Sequence, residues 1–269
     1  MVKLTIDNRE VEVEEGATVL QAARKLGIEI PTLCYHEALA PYVACRVCLV
    51  EVATGKRSRL TTACTYPAWE GIVVKTDSER VIKARRFIIE LLLARCPNVP
   101  QIRELAEKLG VKQTRFKTAD EECILCGLCG RVCEEIIGSS AISFINRGIE
   151  RVMETPFEID SEVCIGCGAC AFVCPTGAIK IEDIKGYRKI EIWHAQRELA
   201  KCKDCGNRFA PMAALKYLKE RIELPDDFFE LCSGCRRKKL GKELVNIVES
   251  SSDSSSPCSQ GRDSSERLE

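Results

Sequence analysis

Residues 163–179 read VCIGCGACAFVCPTGAI, four cysteines at the spacing C-x2-C-x2-C-x3-C with a proline after the last. Residues 123–133, CILCGLCGRVC, repeat that spacing. The likeness continues past the cysteines, where SAISFI (140–145) answers GAIKIE (177–182). The chain thus contains an internal repeat of loop, short helix and strand. Cysteines in this pattern hold 4Fe–4S cubes: three thiolates of a run grip one cube, and the fourth ligates the cube of the other run. The expected sets are therefore crossed. Cys123, Cys126, Cys129 and Cys174 hold one cube; Cys164, Cys167, Cys170 and Cys133 hold the other. Gly127, Gly130, Gly166 and Gly168 suit such loops, because glycine takes positive φ cheaply and lets N–H groups approach sulfide. Glu134, not proline, follows Cys133, so a different turn is expected there. Purely structural cysteines or zinc fit this spacing, found twice, far less well.

The chain has 269 residues and 18 cysteines. Disulfide scaffolds of that cysteine content are short and secreted. Here most cysteines fall in C-x2-C pairs, the pattern of metal sites, and no charged-then-apolar stretch opens the sequence. A reducing cytoplasm is the expected compartment. Forty basic residues balance forty acidic ones, which leaves no electrostatic footprint for nucleic acid. The longest apolar run, FIIELLLA (87–94), is too short to span a bilayer. Little apolar mass accompanies each cysteine module, so metal binding must contribute to folding.

Residues 1–77 read as a β-rich domain. VKLTI (2–6) and EVEVE (10–14) alternate apolar and polar residues around an Asp7-Asn8 turn signal. Thr18 is placed to cap a helix with Val19, Ala22, Ala23 and Leu26 on its apolar face and Gly27 as its stop. CLVEVA (48–53) and GIVVKT (71–76) supply two further strands. Strand pair, helix, then strands around Cys34, Cys45, Cys48 and Cys64 is the β-grasp order of 2Fe–2S ferredoxins. The spacing C-x10-C-x2-C-x15-C differs from the C-x4-C-x2-C of the plant type.

The words around these cysteines, IPTLCYHEALAPYVACRVCLVEV (30–52), resemble the N-terminal 2Fe–2S domain of the large iron–sulfur subunit of respiratory complex I. They are similar also to iron-only hydrogenases and to the diaphorase iron–sulfur subunits of NAD-linked hydrogenases and formate dehydrogenases. CILCGLCGRVCEEIIGSSAISFINRG (123–148) resembles the same family, and the likeness covers residues 1–184. It implies a 2Fe–2S cluster on Cys34, Cys45, Cys48 and Cys64. His36, near Cys34, reads as a loop histidine packed on that site. In the family, a helix like SERVIKARRFIIELLLA (78–94) leads into a His-x3-Cys-x2-Cys-x5-Cys site for another cube. The helix is present here, with Val81, Ala84, Ile88, Leu91 and Leu92 assigned to one face. The residues after it are RCPNVPQIRELAEKLGV (95–111), with Cys96 where the histidine would stand and Pro100 where the next cysteine would. That cluster is read as lost. A helix over 101–110, with Ile102, Leu105, Ala106 and Leu109 on one face and Gly110 as its stop, fills the space, and Cys96 is a buried free thiol.

CKDCGNRF (202–209) and LCSGCRRK (231–238) bring Cys202, Cys205, Cys232 and Cys235 to one expected metal site. Zinc in a ribbon-like module is the first reading, because closed four-thiolate tetrahedra are usual structural zinc sites. A third 4Fe–4S cube is the alternative. Between the pairs, a helix is expected from Pro211, with Met212, Leu215, Leu218 and Ile222 along it. Arg236–Lys239 reads as a solvated basic face beside a helix over 240–248. Residues 249–269 are serine-rich, without apolar periodicity, and read as a disordered tail in which Cys258 is an exposed thiol.

The sequence reading is an α+β chain in five parts: a β-grasp 2Fe–2S domain (1–77), a helical linker (78–115), a two-cluster 4Fe–4S ferredoxin domain (116–184), a four-cysteine module (185–248) and a tail (249–269). No Gly-rich dinucleotide fingerprint follows a strand. The function read from this is single-electron relay inside a multi-subunit NAD(P)-linked oxidoreductase: a hydrogenase, a formate dehydrogenase or an electron-bifurcating complex. The chain is then not a catalyst alone. Its partners are a flavin-bearing NAD(P)H subunit, a small 2Fe–2S subunit and a terminal hydrogenase or dehydrogenase subunit, with no nucleic acid and no membrane. Two rivals are a cluster-bearing enzyme acting alone and a zinc- or cluster-dependent regulatory protein.

Overall fold

The structure is a computed structural model that describes residues 1–55 and 57–252, the side chains of 246–252 excepted. The serine-rich stretch from 253 on, with Cys258, lies outside the described residues. The chain divides into two compact units, Met1–Arg197 and Glu198–Glu269.

The first unit opens with strands β1 (Val2–Ile6) and β2 (Arg9–Val13), paired antiparallel. Asp7 and Asn8 between them both take positive φ, the type I′ turn that matches strand twist. Helix α1 (Val19–Lys25) starts at Thr18, whose side chain accepts from Gln21 N–H while Gln21 reaches back to Thr18 N–H. This capping box satisfies two orphan donors. Strands β3 (Leu49–Thr54), β4 (Arg57–Thr62) and β5 (Val73–Lys75) complete a five-stranded sheet in the order β2-β1-β5-β3-β4. β1 and β5 run parallel, and the other pairs are antiparallel. Leu4, Ile6, Val50, Val52 and Val74 point from the sheet to Val19, Leu20, Ala22 and Ala23 of α1 in one core. Cys48 and Cys64 belong to that core, so packing fixes two site cysteines.

Helix α2 (Glu79–Arg95) is capped by Ser78 and buries Val81, Arg85, Ile89 and Leu93. The expected face was Val81, Ala84, Ile88, Leu91 and Leu92. Val81 is buried as expected and Ile88 and Leu92 pack partly buried against the core, but the buried stripe also takes in Arg85 and Ile89, and Leu91 is exposed. Arg85 Nη2 donates to the Leu49 carbonyl at 2.6 Å, tying α2 to β3 beside Cys48. Helix α3 (Pro100–Lys108) buries Ile102 and Ala106 and ends before Gly110, whose φ of 71° suits only glycine cheaply.

The two cysteine runs each pass a left-handed glycine, Gly127 or Gly168, into a four-residue helix, α4 (Leu128–Arg131) or α5 (Ala169–Phe172). There the repeat diverges. After α4 the chain makes a π-helical turn, Val132–Ile136; after Cys174, Pro175 takes the place of Glu134. β6 (Ser143–Ile145) pairs with β7 (Val152–Glu154), whereas β8 (Glu182–Ile184) pairs with β9 (Tyr187–Ile190). β10 (Ala195–Lys201) carries the chain into the second unit, where it pairs with β11 (Arg208–Pro211).

That unit continues with α6 (Met212–Lys219), α7 (Asp226–Glu230) and α8 (Ser233–Ser252). α6 is shorter than expected. It buries Ala214, while Met212 and Ile222 are exposed. Helix α8 begins earlier and runs longer than expected, so Arg236–Lys239 lies within its first turns. Arg236 stacks on Phe228 and Lys239 pairs with Asp227, contacts that an isolated basic face would lack.

Candidate iron–sulfur and metal centres

Cys34, Cys45, Cys48 and Cys64 are all buried. The first two lie on the loop between α1 and β3, Cys48 directly precedes β3, and Cys64 follows β4. Cys45 N–H donates to Cys34 Sγ at 3.4 Å. Val43 and Arg46, on either side of Cys45, hold φ of 65° and 59°. A β-branched residue in the left-handed region is strained, and such strain persists only where the surroundings fix it. A hydrogen bond from Cys45 pulls the Cys34 thiol down, and one from Cys64 does the same for Cys48. The donors Cys45 and Cys64 are pushed up by those bonds and by burial. His36 Nδ1 accepts from Ala38 N–H at 3.2 Å, a local turn contact.

The two runs meet across the repeat. One cavity of about 220 Å³ is lined by Cys123, Cys126, Cys129 and Cys174. A second, of about 30 Å³, is lined by Cys164, Cys167, Cys170 and Cys133. Leu125 N–H donates to Cys123 Sγ and Ala141 N–H to Cys133 Sγ, each at 3.4 Å. An arginine braces the first cysteine of each run: Arg95 Nε donates to the Cys123 carbonyl at 2.7 Å, and Arg197 Nε to the Cys164 carbonyl at 2.5 Å. Burial pushes up every thiol of the two sets except one, Cys126 to about 12 and Cys170 to about 11. The exception is Cys174. Burial raises it too, but the Thr176 hydroxyl, 3.5 Å from its sulfur, and the N–H groups of Thr176, Ala178 and Ile179 outweigh burial and lower it.

These donor sets fit iron–sulfur groups. All ligands are thiols, none is in a disulfide, and backbone N–H groups aim at the sulfurs. The raised thiols need a cation to become thiolates, which metal binding supplies. The three sets also adjoin. Cys34, Cys45 and Cys126 share one apolar core with Leu128 and Val173. Cys129 and Cys170 share the next, against which Cys133, Cys164 and Cys174 pack.

Cys96 is fully buried in the core that holds Ile89, Ile102 and Ala106. Burial pushes its thiol up to about 11. The only histidines of the chain are His36 and His194, and neither lies in the 95–111 segment. The donor set of the family's additional cube is therefore missing there, and α3 packs in that segment.

In the second unit the ligand sulfurs of Cys202, Cys205, Cys232 and Cys235 all lie within 4.8 Å of one another. Cys205 Sγ and Cys232 Sγ are 3.7 Å apart. The first pair sits in a knuckle between β10 and β11, where Cys202 N–H donates to the Asn207 carbonyl and Gly206 N–H to the Cys202 carbonyl, both at 2.9 Å. The second pair brackets the start of α8. A ribbon would supply it from a second hairpin, so the module is ribbon-like only in its first half. Backbone N–H groups of Cys205 and Cys232 pull Cys202 down to about 6, and Cys232 N–H reaches its sulfur at 3.2 Å. Hydrogen bonds with Cys205 and Cys232 push Cys235 up to about 12.

Sequence reasoning missed residues whose roles arise only from tertiary contact. Arg85 is buried and donates to the carbonyl of Leu49, the residue after Cys48. Thr176 touches Cys174. Trp193 lines both cysteine-lined cavities. The buried arginine carried no signal in the hydrophobic period, and the tryptophan lies beyond both cysteine runs.

The fold and its cysteines thus define an iron–sulfur protein. Residues 1–79 match the 2Fe-2S iron-sulfur cluster binding domain, and residues 157–180 match the 4Fe-4S binding domain. The chain's homologues are subunits of NAD(P)-linked oxidoreductases. It is 36% identical over 183 residues to the NADP-reducing hydrogenase subunit HndD of Solidesulfovibrio fructosivorans, covering 57% of this chain and 31% of the relative. It is 33% identical over 174 residues to the mitochondrial NADH-ubiquinone oxidoreductase 78 kDa subunit of Candida albicans (strain SC5314 / ATCC MYA-2876), covering 55% of this chain and 24% of the relative. The chain therefore spans less than a third of these relatives. Among solved structures, it resembles a chain of the NAD+-reducing [NiFe]-hydrogenase in the H2-reduced state, with a TM-score of 0.57 and 27% identity, over 66% of this chain and 86% of that one. Among the described residues, no helix is long and apolar enough to cross a membrane.

Proposed function

We propose that this chain relays single electrons as an iron–sulfur subunit of an NAD(P)-linked oxidoreductase complex. The observation that carries this is the contiguity of three all-cysteine sets within one compact unit. The groups held there supply one-electron redox chemistry: a 2Fe–2S cluster on Cys34, Cys45, Cys48 and Cys64, and 4Fe–4S cubes on the crossed sets. The protein's part is to hold them. Burial keeps water from the four N-terminal cysteines and from Cys126, Cys129 and Cys170, N–H groups stabilise negative charge on thiolate, and Arg85, Arg95 and Arg197 bring cations near it. The partners are a flavin-bearing NAD(P)H subunit, a small 2Fe–2S subunit and a terminal hydrogenase or dehydrogenase subunit, and the compartment is the cytoplasm.

The C-terminal site takes one zinc ion. Zn–S bonds of about 2.3 Å put the sulfurs of a tetrahedron roughly 3.8 Å apart. The 3.7 Å between Cys205 and Cys232 matches that edge. A cube interposes an iron at each corner and spreads its four thiolates wider.

A nicotinamide gives up a hydride, two electrons at once, and a cluster takes one, so a flavin must stand between them. The test is bleaching of visible cluster absorbance in the anaerobic, reconstituted chain. NADH alone should leave it unchanged, and NADH with a flavoprotein subunit of the complex I type should bleach it. Rapid bleaching by NADH in the flavin-free chain would end the relay reading.

A further inference from the structure

Trp193 is one of the largest fully buried side chains of the protein, 1% exposed. It ends a 3-10 turn (Glu191–Trp193) in the segment that comes after both cysteine runs. Its indole lines the cavity of Cys123, Cys126, Cys129 and Cys174 and that of Cys164, Cys167, Cys170 and Cys133. The ring is thus a wall common to both. A tryptophan nitrogen can only donate. Buried donors are almost always paired, and leaving one unpaired costs about 1–3 kcal/mol. Nε1 of Trp193 is buried and has no hydrogen-bond acceptor among the described residues. Trp193 and Cys170 are buried in the same core and line the same cavity.

The rest of the segment leans on the same set. Arg188 Nη1 donates to the Gly166 carbonyl at 3.3 Å. Arg197 donates to the carbonyls of Cys164 and Ser161. Both guanidiniums are also paired with carboxylates, Asp183 and Asp160. The indole N–H is the donor left over.

We propose that Trp193 tunes the cube of Cys164, Cys167, Cys170 and Cys133 by donating its indole N–H to a sulfur at Cys170. Its role is positioning and electrostatic, not catalytic. The inference rests on the cube assignment given above. A donor to cluster sulfur stabilises the reduced, more negative state, so it raises the reduction potential. Neither run of cysteines encodes this. It assigns to the segment after the second run a part in setting this cube's potential.

The test uses the full chain, reconstituted anaerobically, with Trp193→Phe and with an isostere at 193 in which benzothiophene replaces indole. The isostere keeps the ring's shape and loses only the N–H. Iron and sulfide are measured first, then each cube's potential by EPR-monitored titration. With iron content unchanged, the Cys164 cube should show about a tenfold lower reduced-to-oxidised ratio at a fixed poise, equivalent to about 59 mV for a one-electron couple. Trp193→His, which keeps a ring donor, should recover part of the shift. If the isostere holds its full iron and the potential of the Cys164 cube does not move, the proposal is wrong, whether or not the other cube's does. If the unsubstituted chain itself takes up too little iron for two cubes, it is the cube assignment that has failed.

Discussion

Cys174 departs from the seven other cysteines of the two runs. Its thiol is lowered, not raised, because Thr176 and three N–H groups face it. It also sits with Cys123, Cys126 and Cys129, and away from the three cysteines that precede it in sequence. A double-substitution experiment reads this arrangement directly. Cys174→Ala and Cys126→Ala should each remove about four irons, and the pair together no more than about four, since both act on one cube. Cys174→Ala with Cys167→Ala should remove about eight. Additive loss in the first pair, measured as iron per chain, would show that Cys174 serves its sequence neighbours. The spacing of the cysteines alone raised this arrangement, because a repeated ligand pattern carries its partner within it. Trp193 carries no such pattern. One tryptophan in a polar segment has no local signature, and only the folded chain brings it to the sulfurs.

Among the elements, α2 and β4 are where the sequence was partly misleading. The α2 face was assigned from apolar residues at helical spacing; Val81, Ile88 and Leu92 do pack on the core, but the stripe also buries Arg85 and leaves Leu91 exposed. β4 went unread because its residues, RSRLTT, are polar and largely exposed on an edge. α3 was legible, since Ile102, Ala106 and Gly110 obey the helix period and its stop. Its position after Cys96 has a consequence for stability. Ile102 is fully buried and fills the core that holds Cys96. Ile102→Ala should destabilise the first unit by about 2–4 kcal/mol through lost contact and the cavity left behind. Cys96→Ala should lower thermal stability less and leave the iron content unchanged. Calorimetry with iron analysis checks both. Loss of iron on Cys96→Ala would mean that the thiol is a ligand after all.

At the scale of the whole molecule, the cluster cysteines and the C-terminal four fall in different compact units. The four ligand sulfurs of the second unit lie within 4.8 Å of one another, and one pair, Cys205 and Cys232, stands at the edge length of a single-ion tetrahedron. Zinc should therefore be separable from iron. The anaerobic chain should carry about ten irons, from one 2Fe–2S and two 4Fe–4S groups, and about one zinc. Metal affinity at thiolate sites weakens as pH drops, because protons compete for sulfur. A zinc chelator at mildly acidic pH should strip the second unit first. The expected result is zinc release, a loss of helical circular dichroism and unchanged visible absorbance from the clusters. Helix α8 starts between two of the ligands, so its first turn loses its anchor when the ion leaves. Roughly fourteen irons with no zinc would instead make the C-terminal site a third cube. Chelation would then bleach the visible spectrum as the helix signal fell, and the distance match at Cys205 and Cys232 would have misled.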